Sequence, residues 1–151
     1  MFTYTATIIW KNDSPETFTK NRYTRGHEWV FDGGVTVAGS SSPHVVPRFS
    51  VEAAVDPEEA LVASASSCHM LTFLWLAALD GFIIASYTDQ AVGEMGTLED
   101  GRQWVAKITL SPSIEWIGDA PSAEQLADIH HRAHEQCFIA NSIQSEIVVK
   151  T

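Results

Sequence analysis

The chain opens on short runs dominated by β-branched and aromatic residues. Thr3-Tyr4-Thr5-Ala6-Thr7-Ile8-Ile9-Trp10 predicts a strand, and Asn12-Asp13-Ser14-Pro15 predicts the turn that ends it. Glu28-Trp29-Val30-Phe31 and Val35-Thr36-Val37 flank Asp32-Gly33-Gly34, which predicts a hairpin because glycine reaches the positive φ that tight turns demand. From Ser40-Ser41-Ser42-Pro43 to Val55 the alternation lapses, and a loop is expected.

The pattern changes at Asp56. Asp56 suits a helix cap, Pro57 the first helical position, and Glu59 completes the spacing of a capping box. The helix is expected to run to Asp80-Gly81. Its first half is thin, with Ala63, Ser64, Ala65, Ser66 and Ser67, and thin helices let another backbone or a ligand come close. Its second half, Met70 to Leu79, is bulky and apolar on every face. The segment from Ala60 to Leu79 has the length of a membrane span. However, it carries Ser64, Ser66, Ser67, His69 and Thr72 and is flanked by Glu58, Glu59 and Asp80. A spanning helix prefers a cleaner core and basic flanks, so a helix buried on all sides within protein is expected, and no membrane partner.

Residues 82–87, 91–95 and 104–110 read as further strands. A second helix is expected from Ser122, with Gln125 as its capping partner. Leu126, Ile129, Ala133 and Cys137 fall on one stripe at spacings of three and four, which turns Cys137 toward the core. Glu146-Ile147-Val148-Val149 closes the chain as a strand. Two main helices among hairpin-connected strands predict an α+β fold with a mostly antiparallel sheet, in a single domain over 1–151.

Composition narrows the function. The 151 residues suffice for one core, and 9 basic against 19 acidic residues give a net charge of −10. No run of Lys or Arg exists, which excludes the clustered positive charge that nucleic acid and anionic membranes require. The first residues lack the basic-then-apolar profile of a secretion signal, and two cysteines are too few for a secreted disulfide scaffold. A cytoplasmic protein with reduced thiols is expected.

Those two cysteines, Cys68 and Cys137, have two readings: a dithiol that reduces peroxide, or two buried residues that merely pack. Attack on an O–O bond needs a thiolate, and an apolar site disfavours one. A positive group must therefore reach the sulfur. Arg suits this role because it stays charged and presents a planar fork, which a carboxylate can hold in place. Arg48 before the first helix and Glu58 at its start supply those ingredients.

Other constellations rank lower. His130, His134 and Cys137 follow H-x-x-x-H-x-x-C, with His131 beside them, but three side chains on one helix seldom close a metal site without a fourth ligand from elsewhere. They are read as exposed helix histidines, and no metal is expected. His69 follows Cys68, and adjacent helix positions point about 100° apart. It is therefore read as a core or interface imidazole with a hydrogen-bond partner, not a base in contact with the thiol. Ser66 and Ser67 are read as packing residues. No glycine-rich phosphate loop is present, and no cofactor is expected.

The run Arg48-Phe49, then Asp56-Pro57-Glu58-Glu59, then Ser67-Cys68 resembles the signature of the OsmC/Ohr family of hydroperoxide-reducing proteins, in its OsmC branch. Cys68 stands ten residues after Glu58, as in that branch, while Cys137 matches the family's second cysteine and Trp10 its opening strand. The resemblance spans nearly the whole chain. It implies an OsmC-like fold and an intertwined homodimer, with two active sites at the subunit interface. It also implies that Cys68 attacks an organic hydroperoxide to give a sulfenic acid, and that Cys137 condenses with it to a disulfide. A dithiol reductant, lipoyl-type in the Ohr branch, then restores both thiols. Arg48 is implied as the partner of thiolate and peroxide, and Glu58 as the residue that orients Arg48.

Three features depart from the family pattern. His69 stands where an aromatic often follows the first cysteine, the stretch from Thr17 to Tyr23 lengthens the first connection, and Arg25 competes with Arg48, which the spacing favours. Ten residues of straight helix span about 15 Å, so Glu58 and Cys68 cannot share one site on one regular helix. Either the helix bends, or Glu58 serves the partner subunit's Cys68. Phe49, Met70, Leu71 and Phe73 are candidates for an apolar wall that favours alkyl hydroperoxides over hydrogen peroxide. The alternative reading is a non-catalytic protein of the same fold, binding an apolar ligand in the dimer cleft.

Overall fold

A computed structural model describes all residues, 1–151, as two compact units, Met1–Ala60 and Leu61–Thr151. In the first, β1 (Ala6–Ile9), β2 (His27–Phe31) and β3 (Thr36–Gly39) form an antiparallel sheet in that order. The expected hairpin is present: the Phe31 N–H donates to Val35 O at 2.9 Å, and Gly34 takes φ 83°. Gly39 packs against an aromatic partner, since a Cβ there would lie 2.3 Å from Trp29 Nε1. The long first connection builds its own small core. A 3-10 turn at Phe18–Lys20 brings Phe18 and Tyr23 to 4.6 Å between ring centroids, with Trp10 at 5.9 and 5.6 Å from them.

The loop after β3 is tied down by Ser40, which is fully buried. Its backbone N–H donates to Val55 O at 3.0 Å, and its hydroxyl oxygen accepts from the Val51 N–H at 2.9 Å. That anchoring delivers Asp56 to the start of α1 (Pro57–Leu79), where the capping box forms in both directions. The Glu59 N–H donates to Asp56 Oδ1 at 2.8 Å, and the Asp56 N–H donates to Glu59 Oε2 at 3.1 Å.

The second unit holds most of α1 together with β4 (Ile83–Asp89), β5 (Val92–Thr97), β6 (Gln103–Leu110), β7 (Pro112–Ile117), α2 (Ala123–Gln136) and β8 (Glu146–Val149). β4 pairs with β7 and β5 with β6, both antiparallel, while β8 joins β6 in parallel. β7 is an element beyond those expected from sequence. It follows β6 after a single residue, Ser111. At α2, Ser122 and Gln125 form the expected capping box.

Two apolar clusters make the core of this unit. One gathers Phe73, Leu76 and Ala77 of α1 with Ile129 and Ala133 of α2, under Tyr87, Ile114 and Trp116. The other gathers Ala65 of α1 with Ile108 and Leu110 of β6. Alpha-helix α1 is long and apolar enough to cross a membrane by length and composition, with mean hydropathy 1.5. Its buried apolar residues nevertheless belong to these protein clusters. The expectation that it is covered on every side does not hold within one chain. Leu71, Trp75 and Leu79, four residues apart on one stripe, are 60%, 55% and 65% exposed. Overall the architecture is α+β, with two main helices and mostly antiparallel sheets.

Candidate active site

Cys68 lies on α1 and Cys137 at the C-cap of α2, both free thiols of the second unit. Each is positioned by local backbone chemistry. The Thr72 hydroxyl donates to Cys68 O at 3.0 Å, and the Cys137 N–H donates to His134 O at 3.3 Å as α2 ends. Cys137 is 1% exposed, and the Ala140 N–H donates to its Sγ at 3.4 Å. Burial, followed by hydrogen bonding with the Cys68 thiol, pushes Cys137 up to about 11. Burial thus holds the Cys137 thiol protonated, with the Cys68 thiol beside it.

Around the thiol pair lies a buried polar group that sequence reasoning reads only in part. His69 is the expected core imidazole, 1% exposed, and its partner is His130, at 3.0 Å between Nε2 and Nδ1. His130 is 4% exposed, which corrects the reading of it as an exposed helix histidine. Burial, then the neighbouring His130 and His134, holds His69 down at about 4, and burial holds His130 at about 4 as well. Asp89 on β4 opposes both shifts. The Phe73 ring stacks on His130 at 4.2 Å. His69 Nδ1 and Tyr87 Oη are buried without a hydrogen-bond partner.

Asp89 was not singled out from sequence. It accepts from the Ser66 hydroxyl of α1, and from the Ser111 N–H at 2.6 Å. Ser66 therefore does more than pack. An Asp at the end of a strand that begins Ile83-Ile84-Ala85 is the available signal, because a carboxylate packed at a strand end requires partners.

The remaining site residues belong to the first unit. Arg48 is exposed and Glu58 half-buried. They do not pair with each other, since the chain's ion pairs join Arg102 to Asp100, His131 to Glu135, and Arg132 to Asp80 and Asp128. Arg25 is already committed. Its guanidinium donates to Tyr23 O at 2.6 Å and Asn21 Oδ1 at 2.8 Å, and lies 3.6 Å over the Tyr23 ring. No cluster of three or more His, Cys, Asp or Glu side chains converges as metal ligands. An open apolar groove of about 400 Å³ is lined by Leu74, Ala78, Gly81, Phe82, Ile83 and Ile84.

Comparison with known proteins places this architecture. No curated protein matches the chain. Among solved structures, an OsmC-like protein of unknown function from Vibrio cholerae is 49% identical, with TM-score 0.94 and 99% of each chain covered. An organic hydroperoxide resistance protein from Elizabethkingia anophelis shares the fold at 18% identity and TM-score 0.72, covering 99% of this chain and 94% of its own. The organic hydroperoxide resistance protein OhrB of Bacillus subtilis shares it at 17% identity and TM-score 0.67, covering 99% and 96%. The family described as OsmC-like protein matches residues 50–151, which include Glu58 and both cysteines. With that match and a nearly half-identical relative over the full length, the chain belongs to the OsmC-like family.

Proposed function

We propose that the chain is a thiol-dependent peroxidase that reduces organic hydroperoxides. The observation that carries this reading is the placement of a partly exposed Cys68 on α1 beside a buried Cys137 at the C-cap of α2. Access gives the order of events, since Cys68 is partly exposed and Cys137 is buried. The Cys68 thiolate attacks the terminal peroxide oxygen, the O–O bond breaks, and the alcohol leaves with a proton, giving a Cys68 sulfenic acid. The Cys137 sulfur then displaces hydroxide from that sulfur, forming the disulfide and releasing water. A dithiol reductant, lipoyl-type by family resemblance, takes up the oxidising equivalents and is itself oxidised to a disulfide. Relatives of the same fold named for organic hydroperoxide resistance support the substrate class.

Arg48 is the cation assigned to the Cys68 thiolate, because the fork of Arg25 is already engaged and that of Arg48 is in no ion pair. Glu58 is assigned to orient Arg48 across a homodimer, and residues 1–151 act as one OsmC-like domain. The exposed stripe of Leu71, Trp75 and Leu79 supports the dimer, since an apolar face of this kind is normally covered. A second reading, non-catalytic binding of an apolar ligand, draws on the groove beside Leu74 and Phe82.

The test is steady-state loss of cumene hydroperoxide with dihydrolipoamide or dithiothreitol as reductant. Turnover well above that of Cys68→Ser supports the peroxidase. Equal, background rates leave the binding reading.

A further inference from the structure

We propose that His69 and His130 are positioning residues for the redox pair, a hydrogen-bonded link that fixes the register of α1 against α2 and thereby sets the approach of Cys137 to Cys68. This rests on the reading of Cys68 and Cys137 as a dithiol couple. Three observations converge on it. His69 is the residue next to Cys68, and His130 lies two helical turns before Cys137 on the same stripe of α2. The two rings are nearly coplanar, 9° apart, and joined at 3.0 Å between Nε2 and Nδ1. Both are almost wholly buried, in contact with Phe73, where apolar side chains would pack without leaving His69 Nδ1 unpartnered.

A polar pair at such a place differs from an apolar one in kind. Apolar contacts tolerate small slides of one helix along another, whereas a hydrogen bond weakens steeply with distance and angle. A disulfide demands tightly defined Cα and Cβ separations, so a slide of α2 that apolar packing would absorb is enough to misalign the two sulfurs. The contact of Arg132 with Asp80 lies at the rim, with both side chains about one-third exposed, and such an ion pair constrains position less than a buried hydrogen bond.

The test uses the full-length protein and requires no hydroperoxide. The equilibrium constant between the dithiol and the Cys68–Cys137 disulfide is measured in glutathione redox buffers by thiol trapping and mass spectrometry. His130→Phe keeps a ring against Phe73 but removes the hydrogen bond, and it should lower the constant at least tenfold. His130→Asn returns a polar atom near the place of Nδ1, and it should recover to within threefold of wild type. If His130→Phe does not fold, the same comparison is made from the other side with His69→Leu and His69→Gln. A wild-type constant in the Phe or Leu variant, or an Asn or Gln variant no better than its apolar counterpart, overturns the positioning role. A wild type that forms the disulfide but consumes no hydroperoxide removes the peroxidase reading and leaves this one standing. A wild type that forms no such disulfide removes the positioning role.

Discussion

Asp89 holds Ser66 and Ser111 at once, one carboxylate oxygen on each, and so fastens α1 to β4 and the start of β7 two residues before Cys68. Charged acceptors make the stronger class of hydrogen bond, worth about 1.5–3 kcal/mol each. Asp89→Ala should therefore destabilise the protein by about 2–4 kcal/mol, with Asp89→Asn, which can still accept from Ser111, losing less. Urea unfolding followed by circular dichroism measures both. Equal losses for Ala and Asn mean that the carboxylate pairing matters less than its packing.

The imidazole pair gives stability a pH dependence of known sign. Each ring titrates near 6.5 when unfolded and near 4 when folded, so between those values the unfolded chain binds more protons. The stabilisation is complete above pH 6.5 and is lost as pH falls toward 4. Asp89 on β4 works against the loss, His134 on α2 adds to it, and Tyr87 stays neutral throughout. The urea midpoint of the wild type should fall across this window more steeply than that of the His69→Leu/His130→Phe double variant. Parallel slopes refute the assignment.

Cys137 should be a slow nucleophile until Cys68 is oxidised. With its thiol near 11, only on the order of 0.1% is thiolate at pH 8. In the reduced protein, iodoacetamide should label Cys137 about a hundredfold more slowly than an unperturbed exposed thiol. Peptide mass spectrometry over a time course reads this directly. Labelling of Cys137 at the rate of a model thiol would show that burial does not protect it.

Leu74 borders the apolar groove, next to the exposed Trp75. Leu74→Asp places a carboxylate on a surface assigned to the homodimer, at a cost of several kcal/mol if that surface is covered. Analytical ultracentrifugation at micromolar concentration should show a dimer for the wild type and monomer or unfolded chain for the variant. A folded wild-type monomer with full peroxidase turnover removes the dimer and the cross-subunit role of Glu58.

Gly39 is small for a packing reason. A methyl group there would press on the Trp29 indole and on His27 Nε2, which accepts from Trp29 Nε1 at 2.7 Å. Gly39→Ala should cost about 1–3 kcal/mol and disturb the Trp29 environment. Near-ultraviolet circular dichroism checks it, and an unchanged spectrum at unchanged stability contradicts the close packing.

Local rules carried the helix starts. Asp56 with Glu59 and Ser122 with Gln125 each signal a cap within four residues, and both boxes form. The stripe that turned Cys137 inward was equally local. What escaped was the partner of each buried polar group. His69 and His130 are 61 positions apart, and Ser66 and Asp89 are 23 apart. No periodicity records such distances, so His130 was grouped with His134 on its own helix. β7 escaped for a different reason: Ser111 is the only residue between it and β6, too short a break for a turn signal to register.

The parallel pairing of β6 with β8 bears on the order in which the molecule is assembled. Lys107 meets Glu146 and Leu110 meets Val149, with β7, α2 and Cys137 all lying in the connection between them. A parallel pair cannot grow outward from a tight turn; it waits for the intervening chain to be gathered in. The thiol centre is therefore expected to form late in folding, not in an early local nucleus. In refolding from denaturant, protection of Cys137 from a fast thiol reagent should arise with the slowest phase, together with amide protection in β8. Until then each chain carries two ordinary, reactive cysteines.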